Sequence, residues 1–225
     1  MADLLVTGTD ARVGKTVVAA ALVLALREKG RAAVGFKPVE SAGGGVTDSK
    51  LLATASGVDL PQARPLLQLG EPLDPALAAQ RSGQGLDVKA LELRVPSLYA
   101  AGYTVVVEGS GGLLAPLDWG YTALDLAARC GLHAVVVGRA GLGTLNHCLL
   151  TLAALQGRGV PVRGVVLNGP SSPPDLAEST NPAALAQLAP GVPVVVLPRH
   201  PDADPLAAAR ASVPFLMPLL EPGPD

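Results

Sequence analysis

The chain has 225 residues, 49% of them apolar, with a formal net charge of −2 and a pI near 5.9. This composition excludes a disordered chain and argues against a broad electrostatic footprint for DNA, RNA or an anionic membrane. Aromatic residues make up only 3%, so Ala, Val and Leu must fill the core. Cys130 and Cys148 fit neither a metal-ligand spacing nor a disulfide framework, which predicts a reducing, cytoplasmic setting. The opening "MADLLVTGTD" predicts no signal peptide. The longest apolar run, Val17 to Leu26, has ten residues, too short for a bilayer, and predicts a buried helix.

In chain order, "LLVTG" (4–8) predicts a first strand and 15–29 a helix. Between them lies "GTDARVGKT", residues 8–16. Strand, glycine-rich turn and helix are the context that a phosphate-binding loop requires. Gly8 and Gly14 let backbone N–H groups face inward, Lys15 adds a mobile charge, and the helix N-terminus adds its partial charge. Thr16 carries a hydroxyl suited to a metal ion that bridges phosphates. Five residues separate the glycines, whereas the common loop has four. The bland alternative is an ordinary turn with a solvated lysine.

A second strand, 32–38, runs into "FKPVES" (36–41). Lys37 is thereby expected at the sheet's C-terminal edge, where a lysine can hold a transferring phosphoryl group or its acceptor. Pro38 keeps it out of a helix. Alone, it could equally be a surface lysine. The stretch 41–85 reads as a long excursion over that edge, with a short helix at 48–56. Thr47 or Asp48 could cap that helix, and Asp48 could instead serve as an oxygen ligand of Mg²⁺. A helix at 86–100 precedes the strand 104–109. There "VVVEGSGG" (105–112) closes a buried strand with Glu108, which is costly unless the carboxylate is paired or binds a cation. The following glycines let N–H groups approach an anion. Further on come helix 122–131, strand 133–138, helix 144–157, strand 162–168, the loop "NGPSSPPD" (168–175), helix 182–189 and strand 193–198. His133, His147 and His200 match no catalytic or metal pattern. The alternation predicts one α/β domain spanning 1–225, a mostly parallel sheet with helices on both faces, of the phosphate-loop NTPase type.

Taken together, these motifs resemble the dethiobiotin synthetase family. Its opening motif "GTDTxVGKT" has the same five-residue spacing. The likeness continues through "KPV.S" (37–41), the Asp at 48, "VEGSGG" (107–112), "PL" (116–117), "GxxNHxxLT" (143–151) and Asn168. The resemblance implies ATP- and Mg²⁺-dependent carboxylation of 7,8-diaminononanoate by CO₂. A carbamate and a carbamic-phosphoric anhydride would precede closure of the ureido ring. It implies Lys37 and Lys15 as catalytic, and Thr16, Asp48 and Glu108 as metal ligands. Arg12, Val13, Gly14, Lys15, Thr16 and Val17 would line the nucleotide. So would Asp48, Glu108, Gly109, Ser110 and Gly111. Asn168, Gly169, Pro198, Arg199 and His200 would surround its base. Ser41 and Asn146 would contact the diamine, Asn146 across a homodimer interface. Here Ala11 stands where the family usually has Thr, Arg12 where it often has an acid or small residue, and Ser110 where it has Ala. Gly169 and "PRH" also depart from its pattern.

Rival readings share the fold. Partition and site-selection ATPases carry a second lysine early in the loop and often a basic amphipathic tail. This chain has Asp10 and Ala11 there, and an acidic, Pro-rich end. Cobyrinic acid amide synthases need a glutaminase domain. A nonenzymatic nucleotide-binding module does not need Lys37 and Ser41 beside the loop.

Overall fold

The computed structural model describes residues 2–41, 47–200 and 204–221. Residues 42–46 of the expected excursion, and 222–225 of the acidic, Pro-rich end, lie outside the described residues. The strands are β1 (Leu4–Gly8), β2 (Ala33–Phe36), β3 (Val39–Ser41), β4 (Leu67–Leu69), β5 (Thr104–Gly112), β6 (Pro116–Asp118), β7 (Tyr121–Thr122), β8 (His133–Arg139), β9 (Val162–Asn168) and β10 (Val194–Leu197). The helices are α1 (Lys15–Glu28), α2 (Asp48–Ser56), α3 (Pro75–Ser82), α4 (Val88–Ala100), α5 (Ala123–Cys130), α6 (Thr144–Gly157), α7 (Leu176–Leu188) and α8 (Pro205–Leu216).

Six strands form one parallel sheet in the order β10-β9-β8-β1-β5-β2. Its strands are buried on both faces, which is why they read as unbroken apolar runs. Alternation then splits their side chains between two layers. Leu5, Val107, Val136 and Leu167 face the layer completed by α4, α5 and α6. Leu4, Val6, Val106, Val135 and Val166 face the layer completed by α1, α2 and α8. α1 is apolar nearly all round because α2 and α8 pack beside it on that face. Two small pairs, parallel β3–β4 and antiparallel β6–β7, lie outside the main sheet.

β1 lies between β5 and β8, so later strands are added on the side away from β2. Ligand crevices form at the carboxyl ends of strands where the order reverses in this way. The loops after β1, β2 and β5 all open there.

Three helices differ from the sequence expectation. The segment "LGEPLDPALAAQRSGQG" is not all loop, because it contains α3, with Asp74 before Pro75 at its first turn. α7 begins at Leu176, not 182. Its start is set by a reciprocal cap between Asp175 and Glu178, and Pro182 lies inside the helix. α8 was not expected at all. Asp204 caps it, accepting from Leu206 and Ala207 N–H, and Pro205 opens it.

Candidate active site

A cleft of ≈ 640 Å³ opens at the carboxyl edge of β1, β2 and β5. Its floor is the 8–16 loop. α1 starts at Lys15 without any side-chain cap, so first-turn N–H donors remain for a ligand. Arg12 (φ 56) and Gly14 (φ 99) both take the left-handed conformation, and Arg12 is the only non-glycine to do so among the described residues. Such a turn aims successive N–H groups into a concavity suited to an anion. Gly8 permits the loop to fold back. A β-carbon there would stand 2.6 Å from the Asp10 carbonyl oxygen and 2.9 Å from Lys15 Nζ. Lys15 Nζ donates to the Asp10 carbonyl at 2.8 Å, curled over its own loop.

The cleft's deepest charge cluster joins three elements. Lys37 Nζ lies 2.7 Å from Glu108 Oε1 and 3.0 Å from Asp48 Oδ2. It also donates to the Gly109 carbonyl at 3.3 Å. Thr16 Oγ1 donates to the same Glu108 oxygen at 2.9 Å. Glu108 is 1% exposed and Lys37 5% exposed, so each charge depends on the other for solvation. Burial by itself would pull the Lys37 pKa down, but Glu108 and Asp48 overcome that and hold it above its ordinary value. Burial pushes Glu108 up, with Lys37 opposing.

Asp48 reaches Lys37 because Glu40 holds the start of α2. The Glu40 carboxylate accepts from Asp48 N–H at 2.9 Å and Ser49 N–H at 3.1 Å. Thr47 accepts from Lys50 N–H, so Thr47, not Asp48, is the helix cap.

Among the described residues no three His, Cys, Asp or Glu side chains gather as a metal cage. Two carboxylates and the Thr16 hydroxyl do meet, and Glu108 Oε2 is buried without a hydrogen-bond partner. Hard oxygen donors in that number fit Mg²⁺ that keeps waters and phosphate oxygens as its other ligands.

Other expected site residues fall around this centre. Arg12, Gly14, Lys15, Thr16, Val17, Lys37, Ser41, Asp48, Glu108, Ser110 and Gly111 all line the cleft. Val13 is buried beneath the loop, and its carbonyl accepts from Asn168 Nδ2 at 2.9 Å. Asn168 thereby ties the end of β9 to the loop. Gly169 N–H donates to the Leu197 carbonyl at 3.1 Å, bringing the 198–200 turn beside it. Asn146 does not line the cleft, being exposed on the first turns of α6.

Comparison with known proteins adds the family. A family model described as an AAA domain matches residues 2–207. An ATP-dependent dethiobiotin synthetase from Anaeromyxobacter dehalogenans is 44% identical, over 95% of this chain and 97% of its own length. The Mycobacterium leprae enzyme of the same name is 40% identical, with 84% of each chain covered. The one from Aquifex aeolicus is 35% identical, covering 89% of this chain and 90% of its own.

The chain belongs to the dethiobiotin synthetase family.

Solved structures share its fold more distantly. The septum site-determining protein MinD from Pyrococcus horikoshii, complexed with Mg-ADP, has a TM-score of 0.57 at 17% identity, covering 96% of this chain and 94% of its own. The apo McdA structure from Cyanothece has a TM-score of 0.56 at 14% identity, covering 97% and 96%. These likenesses concern the fold alone.

Two residues that shape this dethiobiotin synthetase site, one behind the cleft and one lining it, are not among the sequence-derived candidates. Glu40, on β3 three residues after Lys37, is 7% exposed. A carboxylate within a buried run, the signal that singled out Glu108, was available there too. Asp74 lines the cleft from the wall of α3.

Lys15 yields a pH prediction. Burial, then the neighbouring Lys37 charge, pulls its pKa down to about 8, with Glu108, Asp48 and Asp10 opposing. A bound phosphate favours the charged ammonium and raises that value. ADP binding is therefore expected to take up protons near pH 8, and affinity to fall as pH rises through about 8. Calorimetry at pH 8 in two buffers of different ionisation heat measures the uptake, and equal heats would contradict it.

Proposed function

We infer that the cleft closes the ureido ring of dethiobiotin on 7,8-diaminononanoate, using CO₂ and ATP. As a member of this family, the chain is an ATP-dependent ligase of biotin biosynthesis. The observation that carries the reading to these residues is the contact of Lys37 with Glu108 and Asp48 at the mouth of an uncapped phosphate loop.

In the proposed chemistry one amine adds to CO₂, giving a carbamate and releasing a proton. A carbamate oxygen attacks the γ-phosphorus of ATP, and ADP leaves. The second amine attacks the carbamoyl carbon, closing the ring and expelling phosphate. The loop N–H groups of 12–17 and Lys15 hold the phosphates. Lys37, poised at the carboxylate pair, neutralises the carbamate and the transferring phosphoryl group. This transfer needs positioning and charge compensation more than covalent help. Thr16, Asp48 and Glu108 are the side chains that would hold Mg²⁺, which supplies further charge neutralisation on the phosphates. Glu108 to Gly111 line the nucleotide. Asn168, Gly169 and the turn Pro198, Arg199, His200 flank its base. Ser41 faces the diamine.

The unit is proposed to be the whole of 1–225, working as a cytoplasmic homodimer. Support for pairing comes from Leu142, Leu150 and Leu114, which are 94%, 63% and 60% exposed on the side of the loop where α6 carries Asn146. Asn146, outside its own cleft, would act on a partner's substrate. No described helix is long and apolar enough to cross a membrane.

The test is coupled phosphate release. With ATP, Mg²⁺, bicarbonate and diaminononanoate, phosphate is expected only when all are present. Equal release without the diamine would overturn the ligase reading.

A further inference from the structure

One wall of the cleft is built by Pro72, Leu73, Asp74 and Pro75, leading into α3. Asp74 occupies the N-cap position, where an Asp side chain ordinarily accepts from the helix's second or third N–H. Here it caps nothing. The same residue type caps α4, α7 and α8 through Asp87, Asp175 and Asp204. Forgoing such a bond sacrifices helix stability. Asp74 instead turns across the cleft toward the end of β5. Its Oδ1 lies 3.3 Å from where a β-carbon on Gly111 would stand, so the absent side chain of Gly111 leaves that carboxylate room.

The charge around it gives this orientation a purpose. Arg12, Lys15 and Lys37 all line the same cleft. That set suits phosphates and a carbamate, yet it repels the ammonium that a vicinal diamine carries at neutral pH, where one amine is protonated and its charge lowers the pKa of the other. Glu108 and Asp48 are already engaged by Lys37. Among the described residues, the Asp74 carboxylate has no ion-pair or side-chain hydrogen-bond partner of its own, and it is exposed to the cleft.

We propose that Asp74 is the anionic positioning residue for the diamine, accepting a hydrogen bond from one substrate ammonium and so orienting the other amine toward CO₂ and Lys37. This rests on the diamine-carboxylating reading above. It assigns Asp74 no bond-making role. The ammonium it holds must lose its proton to solvent before ring closure, so Asp74 acts on binding and orientation.

The experiment compares wild type with Asp74→Asn and Asp74→Glu. Asn keeps the shape and removes the charge, and because the native side chain caps nothing, the melting temperature is expected to stay within about 2 °C. A charge-assisted hydrogen bond contributes ~1.5–3 kcal/mol, or roughly 10- to 100-fold in affinity. KM for diaminononanoate in Asp74→Asn is therefore expected to rise at least about tenfold, with KM for ATP within about twofold and partial recovery in Asp74→Glu. An unchanged diamine KM would overturn the assignment. So would a parallel loss of ATP affinity and melting temperature, which marks a structural residue. If wild type itself does not turn over the diamine, the functional reading fails instead, and the two failures are distinguishable.

Discussion

Replacing Lys37 by alanine is expected to lower turnover by about a thousandfold, the loss typical when a charge-stabilising group is removed from a dry site. ADP affinity should change by less than about threefold, because the loop N–H groups and Lys15 remain in place. The separation follows from position. Lys37 stands on the β2 side of the cleft, bonded to Glu108 and Asp48, while the phosphate cradle is built from the β1–α1 turn. The variant leaves Glu108 buried with Thr16 as its remaining side-chain donor, so some stability is lost as well. ADP binding serves as the check that the folded state survives. Losing its neighbour's charge should also raise the Lys15 pKa toward its usual value, shifting the proton uptake on ADP binding to higher pH. Turnover that persists in Lys37→Ala, measured as phosphate release under saturating substrates, would remove Lys37 from the chemistry.

Gly14→Ala should damage binding and stability together. Gly14 has φ 99, where an L-residue is strained by ~1–2 kcal/mol. Its new β-carbon would fall 2.0 Å from Asn168 Nδ2, which must then release the Val13 carbonyl. Losing that hydrogen bond costs ~1 kcal/mol more. A total near 2–3 kcal/mol predicts a melting temperature lower by roughly 4–12 °C in a chain of this size. ADP affinity should fall at least about tenfold, since the N–H groups of the turn no longer converge. Thermal melts and ADP titration test both effects, and wild-type values for both would refute this account of the loop.

Local grammar made the centre of the site legible. Gly8, Gly14, Lys15 and Thr16 sit between an apolar strand and an apolar helix, and Glu108 ends a run of valines. Each of these is a short-range pattern. The family's loop length, seen as one residue too many against the common form, corresponds to a turn in which Arg12 and Gly14 are both left-handed. What could not be read were contacts made across the chain. Asp48 meets Lys37 only because Glu40, on another element, fixes the first turn of α2. Asn168 supports the loop from 155 residues away.

Proline caused the misread helices. In α3 an Asp followed by Pro marks a helix start, yet its Pro-rich setting reads as loop, and the same Asp-Pro start opens α8, where the sequence reading places no element. In α7 the interior Pro182 reads as a first turn, although Asp175 and Glu178 three residues later spell a reciprocal cap. Of these helices only α3 contributes residues to the cleft, its start forming one wall. Asp74 is therefore hidden in the sequence along with its helix.

The fate of the CO₂ oxygens tests the central claim most directly. In the proposed sequence one oxygen of the carbamate attacks phosphorus and departs with the phosphate, while the other stays as the ureido carbonyl. Turnover in freshly added C¹⁸O₂, stopped before exchange with water, should give phosphate carrying one ¹⁸O and a cyclic urea carrying the other, read by mass spectrometry. Phosphate without label would mean that water attacks ATP in this cleft, and would contradict the carbamate route.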